Sequence, residues 1–298
     1  MLQGAVAPFP YAGEVASLGA AMAWAIGLTL YRADTRATGA RQVNQFKNLI
    51  GSWLFLLTAL IVGVSPLSIR DQVYLAVSGV LGLAIGDSLL FKALALLGPH
   101  RAALSACLAP VFTGVAGWIF LGEALSWEQC AGIPLVVGGV ALVLYGYGAE
   151  DSVAPLKGML YGTGFAVCHS AGVLLAKEGM YNAGPLAGSA LRLTAAAVAL
   201  VFFSLGRRDL HAGLRPLLRP RSLKRLLPAV LIGTFAGIWL MQAGIKWAPA
   251  AVANTLHSTT PLFTLPIAFL VLRERVGPAA VVGSLVAVGG VALLLGAF

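Results

Sequence analysis

Charge is what this sequence is shortest of. Of its 298 residues only 10% are Asp, Glu, Lys or Arg, where soluble domains carry about 25%. So little charge cannot cover a water-soluble surface, which excludes an ordinary cytosolic enzyme or binding module. Cysteine is nearly absent too. Cys107, Cys130 and Cys168 stand in apolar runs at spacings that match no zinc or redox motif, and they read as small buried hydrophobes. No Lys or Arg precedes Ala16, so the basic start of a secretory signal is missing and the first apolar run reads as a retained helix. Also missing are an HExxH pair, a Gly-rich phosphate loop, a strand pattern, and any two carboxylates together within an apolar run. The sequence therefore predicts no catalytic residues, no metal and no cofactor.

What is present is apolar. Hydrophobic residues make up 59% of the chain, with 36 Gly, in stretches of about 20 residues that each suffice to cross a bilayer as a helix. The expected fold class is an all-α polytopic membrane protein with ten transmembrane helices. They are read at 15–32, 43–63, 72–94, 100–121, 127–146, 157–177, 186–205, 227–246, 250–272 and 278–297. The connections are short except for GRRDLHAGLRPLLRPRSLKR (206–225), which is too basic and Pro-interrupted to span and reads as a solvated segment near lipid headgroups.

The chain also resembles itself. From Gly86 against Gly237, a constant offset of 151 makes 16 of 59 positions identical, among them Pro110 with Pro261, Glu123 with Glu274, and GGVAL with GGVAL. Upstream an offset of 145 pairs Gly19 with Gly164, Gly27 with Gly172, Arg32 with Lys177, and Lys47 with Arg192. Residues 1–150 and 151–298 are thus expected to be two five-helix units. Five is odd, so the second unit would cross the membrane in the opposite sense, an inverted repeat of the kind secondary transporters use. Of the 20 Lys and Arg, 14 fall in the connections between odd and following even spans, and three (Arg70, Lys177, Lys246) on the other side. The positive-inside rule puts the basic side in the cytoplasm and both termini outside.

These features resemble the EamA-type branch of the drug/metabolite transporter superfamily. The carrying residues are Gly86-Asp87 before an aromatic-Lys-Ala-Leu run, Pro110 in the fourth span, Leu121-Gly122-Glu123 closing it, and a Gly-rich fifth span. The second half repeats this loosely, with Gln242 and Lys246, Pro261, then Leu272-Arg273-Glu274. The resemblance implies ten helices around a central site, alternating access, and movement of small metabolites such as amino acids. One departure is Ile238, which stands where the first half has Asp87.

Polar groups at membrane depth are costly and mark function by default. Lys47 and Arg192 lie near the start of matched helices. They read either as snorkelling to headgroups or as gates and counter-ions. Asp87 reads either as the partner of Lys47 or Lys92, or as a proton-carrying coupling group. His169, mid-span, is a substrate contact, a relay, or a neutral side chain bonded to a hydroxyl. Trp239 and Gln242, three apart in the eighth span, could stack on and bond a solute together. In NTLHSTTPLFTLP (254–266), Pro261 removes the donor to the carbonyl of His257, and nearby Ser and Thr can satisfy such carbonyls. Asn254 and His257 are not needed for that, and their first-half counterparts are Ala103 and Ala106.

Expected substrate contacts are therefore His169, Asn254, His257, Trp239 and Gln242. Expected gating or coupling residues are Asp87, Lys47, Lys92 and Arg192, with helix breaks at Pro110 and Pro261. Glu123 and Glu274 read as caps or inter-helix ties. The function expected is secondary transport of a small polar or amphipathic, amino-acid-like metabolite across the inner membrane, in the direction of export. The partners are that small molecule, the lipid bilayer and a proton if transport is coupled, with no nucleic acid, in a monomer or homodimer. A membrane-embedded enzyme or a non-transporting scaffold are the alternatives.

Overall fold

The computed structural model describes residues 7–93, 96, 108–145, 155–207, 210–260, 262–263 and 278–294, and the regular structure among them is helical throughout. The principal helices are α1 (Ala12–Thr38), α2 (Ala40–Val62), α3 (Ile69–Ala93), α4 (Ala109–Leu121) and α5 (Trp127–Tyr145). They are followed by α6 (Pro155–Gly179), α7 (Pro185–Gly206), α8 (Pro220–Trp247), α9 (Ala250–His257) and α10 (Pro278–Leu294). Six of them, α1, α2, α3, α6, α7 and α8, are long and apolar enough to cross a membrane. Apolar helices of 10–17 residues also occur at Ala109–Leu121, Trp127–Leu142 and Val281–Leu293.

Two helices, α1 and α8, run well past the expected spans, for reasons the apolar runs do not contain. α1 continues through polar residues to Thr38, and the turn into α2 is made by Gly39 alone, at φ 105°, a value open to glycine. The polar end is held by a tertiary contact: buried Asp34 accepts from Nε and Nη2 of Arg225 at 3.0 and 3.1 Å. α8 begins at Pro220, seven residues before the expected 227, with proline in the first turn, where its missing N–H costs nothing. Ahead of it the basic connection carries a turn at Leu210–Leu214 and a 3₁₀ turn at Arg215–Leu218. Leu217 and Leu226 pack against Tyr31 and Phe46, so this segment is anchored to the bundle by an apolar face. Cys130 is exposed, which corrects its reading as buried; Cys107 lies outside the described residues.

The halves interlock. α1 packs on α8 and α3 on α6, while α2 meets α7, α4 meets α9, and α5 meets α10. Backbones come closest where glycines face each other. A Cβ on Gly27 would lie 2.6 Å from Gly233 Cα, and one on Gly172 would lie 3.0 Å from Gly82 Cα. Small residues allow such approach where lipid supplies no hydrophobic drive between helices. The offset of 145 relates Gly27 to Gly172, and the offset of 151 relates Gly82 to Gly233, so the two crossings are counterparts. α3 and α8 also each widen into a π-helical stretch, Gly79–Gly86 and Val230–Ala236. These stretches start 151 residues apart.

One end of the bundle is laced by ion pairs and carbonyl contacts. Glu123 Oε2 accepts the amide of Ala250 at 2.8 Å, at the start of α9, while its Oε1 lies 2.5 Å from Lys177 Nζ. Lys177 Nζ also donates to Ala248 O at 2.5 Å. Lys246 Nζ donates to the carbonyls of Met180 and Ala183, each at 2.7 Å. Glu123 is thus both cap and inter-helix tie; Glu274 lies outside the described residues.

Candidate functional site

Inside this apolar bundle eight helices bring polar and aromatic side chains together. On α2, Asn44, Lys47 and Asn48 are spaced three and four apart and so share a face, and all three are buried. Lys47 is 0% exposed, and its Nζ donates to Asp87 Oδ2 on α3 at 2.8 Å. It also lies 5.5 Å from the ring centre of Trp24 on α1, close enough for cation–π attraction. Asn44 Nδ2 donates to Leu83 O at 3.0 Å and to Ser88 Oγ at 3.2 Å, tying α2 to the π-helical stretch that aims Asp87.

A second group continues from Trp24. Its ring meets His257 of α9 edge-on at 6.1 Å, and His257 lies parallel to His169 of α6 at 6.3 Å. His169 faces Phe165 at 5.2 Å, and its Nε2 is 3.2 Å from Asn254 Oδ1. Asn254 Nδ2 donates to Thr113 Oγ1 of α4 at 2.7 Å, and Thr113 Oγ1 donates on to Ala109 O at 2.9 Å. Of the readings open for His169, a bond to an amide is the one seen. Trp24 and His169 correspond under the offset of 145, so the ring of His257 sits between two repeat-related rings. His257 Nδ1 is buried without a partner among the described residues.

Arg192 of α7 closes the cluster toward α8. It is 3% exposed, which removes snorkelling as its reading, and its Nη1 donates to Gln242 Oε1. Gln242 Nε2 points to Met180 Sδ at 3.3 Å.

The expected site residues thus separate into three sets. Lys47, Asp87, His169, Arg192, Gln242, Asn254 and His257 come together in the interior. Lys92 and Trp239 do not: Lys92 is exposed, with Nζ 5.3 Å from the Tyr161 ring, and Asp87 takes Lys47 instead. Trp239 is 47% exposed while Gln242 is 0%, so the two do not share a face. Three residues advance an α-helix by about 300°, enough to turn one toward lipid and the other inward. Pro110 stands in the first turn of α4, where Ala109 O receives both Thr113 Oγ1 and Ser170 Oγ, the latter at 2.8 Å. Pro261 lies outside the described residues. The carbonyl of His257, which a proline at 261 cannot serve, accepts from Thr260 Oγ1 at 2.7 Å. Asn44, Asn48, Thr113 and Phe165 were not anticipated. The spacing of Asn44, Lys47 and Asn48 was a readable signal for the first two, whereas Thr113 and Phe165 acquire meaning only through contacts across the bundle.

Chemically, the cluster offers one buried ion pair, a second buried cation, amide and imidazole groups of both hydrogen-bonding senses, and aromatic faces. Such a lining can hold a small amphipathic solute.

Comparison with known proteins follows the same line. A family model described as the EamA-like transporter family matches residues 11–145 and again 156–296. The chain is 25% identical to a probable terminal-alkyne amino-acid exporter of Streptantibioticus cattleyicolor, over 91% of this chain and 89% of that protein. It also superposes on a protein of known crystal structure with a TM-score of 0.76, at 18% identity, over 96% of both chains; this likeness speaks to the fold alone.

Proposed function

The chain belongs to the EamA-like transporter family and is an integral membrane transporter, and from that premise we propose that it exports amino-acid-like metabolites by alternating access. The observation that carries the reading is the polar cluster itself. Lys47, Asp87, Arg192, His169 and Asn254 are held in the interior of a lipid-soluble bundle, where such groups are costly unless used. His169, Asn254, His257 and Gln242 contact the solute, and Lys47 with Asp87 governs closure or proton coupling.

The ten helices act as two inverted five-helix units that rock about this cluster. Two observations support that arrangement: the counterpart glycine crossings of α1 with α8 and α3 with α6, and the π-helical stretches 151 residues apart. The probable exporter of Streptantibioticus cattleyicolor supports both the amino-acid class and the direction. The distribution of Lys and Arg supports external termini.

The test is counterflow of labelled amino acids, a terminal-alkyne amino acid among them, in vesicles with and without the reconstituted protein. Uptake above empty vesicles for at least one amino acid is expected; none for any would reject the substrate class. A C-terminal reporter active only in the cytoplasm should be silent, and activity would reverse the orientation.

A further inference from the structure

The two halves carry a buried cation at matched positions, Lys47 and Arg192, and only one of the two has an acid. Lys47 lies against Trp24. Arg192 is the counterpart of Lys47, as His169 is of Trp24. Asp87 neutralises Lys47, but the residue equivalent to Asp87 in the second half is Ile238, apolar and buried. Arg192 has instead the neutral amide of Gln242. Among the described residues no carboxylate is ion-paired with Arg192, and Asp87 is in contact with Lys47. Of two other buried acids among the described residues, Asp34 is bonded to Arg225, and Asp71, at the start of α3, has neither carboxylate oxygen on a hydrogen-bond partner.

The free edge of the guanidinium has a definite shape. Its hydrogen bond to Gln242 leaves from Nη1, and its Nε has no partner among the described residues. Nε and Nη2 form the side-on fork of an arginine, which matches the two oxygens of a carboxylate. The same fork of Arg225 is filled in this chain by Asp34. Gly82 lets α3 come close to the guanidinium, since a Cβ there would lie 3.3 Å from Arg192 Nη2. A buried guanidinium with a neutral partner is costly, and a bound anion removes that cost.

We propose that Arg192 is the carboxylate-binding residue of the transport site, taking the solute's carboxylate on its Nε–Nη2 edge where the first half has an acidic side chain. This rests on the transport reading above and narrows it: the solute travels with its carboxylate free. A lysine would supply the charge without the planar fork, so Arg192→Lys should retain only part of the function.

Two measurements test this on the full chain: counterflow in vesicles, and thermal melting in detergent at constant ionic strength. The probes are L-leucine and L-propargylglycine, each against its amide, which keeps the amine and side chain but lacks the carboxylate. The free acids should be carried and should stabilise the protein, with their amides at least about tenfold weaker, the scale of a lost charge-assisted hydrogen bond. Arg192→Gln should erase that discrimination. Because Arg192→Gln could fail to fold, Gln242→Glu is the second variant. It sets a tethered carboxylate against Nη1 and so neutralises the guanidinium, should melt no lower than the parent, and should lose most of the preference for acid over amide. Equal handling of acids and amides by the parent, or an unchanged preference in Gln242→Glu, overturns the assignment while leaving transport standing. Stabilisation by the acids without flux rejects transport and retains the anion site. Neither binding nor flux with any probe rejects both.

Discussion

Removing the acid from the Lys47–Asp87 pair should be far more damaging than removing both charges. Lys47 is 0% exposed, and its ammonium has Asp87 Oδ2 at 2.8 Å and the face of Trp24 at 5.5 Å. In Asp87→Asn the ammonium keeps a neutral acceptor and the ring, the latter worth about 0.5–2 kcal/mol, but it loses its counter-charge. Breaking a buried pair from one side costs about 3–5 kcal/mol, and the remaining acceptor places Asp87→Asn near the lower figure. At roughly 2–4 °C per kcal/mol for a large domain, melting should fall by roughly 10 °C. In Lys47→Met/Asp87→Leu neither charge remains and the volumes are similar, so most of that loss should return. The assay is thermal unfolding of purified protein in detergent, with counterflow measured alongside. An Asp87→Asn variant that melts within about 2 °C of the parent would refute the reasoning, because an uncompensated buried ammonium cannot be that cheap. Counterflow then separates the two roles left open for the pair. A double variant that is stable and inactive makes the pair a coupling element; one that is stable and active makes it structural.

Asn254→Leu should preserve folding within about 2 kcal/mol while cutting amino-acid counterflow, since it removes the bonds to His169 and Thr113; unchanged flux would exclude Asn254 from the site. Glu123→Ala should cost about 1–2 kcal/mol by uncapping α9 and releasing Lys177, and Glu123→Gln should recover part of it because an amide oxygen can still take the Ala250 N–H; melting midpoints check the order. Gly233→Ala should destabilise by about 1–3 kcal/mol, because its Cβ would meet Gly27 Cα at 2.7 Å, whereas Gly206→Ala, with nothing within 4 Å, should be neutral.

The sequence made the class of the protein plain because it follows from one quantity, the shortage of charge, and the repeat offsets carried into the structure at particular residues. Gly27 and Gly172 were matched on sequence alone, and each proves to be half of a close helix crossing. The scarcity of membrane acids left Asp87 with two candidate partners, Lys47 and Lys92, and it pairs with Lys47. What stayed hidden depends on rotation and on distant contacts. Apolar runs report length and not phase, so Trp239 and Gln242 could not be assigned to different faces. The polar end of α1 looked like a loop because its stabilising partner, Arg225, is 191 residues away. Thr113 was invisible as a site residue, since a hydroxyl in a helix is ordinarily bonded to its own backbone.

The π-helical stretch of α3 consists of Gly, Val, Leu, Ala and Ile, GVLGLAIG, and on composition it is lipid-soluble filler. Its length carries more information than its letters. A π turn accommodates an extra residue in a helix, so deleting one residue from the stretch would leave no gap; the segment would simply wind as α-helix. The helix beyond it would keep its phase, so Asp87, the next residue, would still face Lys47. The same deletion in an α-helical part of α3 would turn Asp87 by about 100° and break the ion pair. The stretch works as slack in the residue count of α3, the one place where a residue can be lost without changing what enters the site.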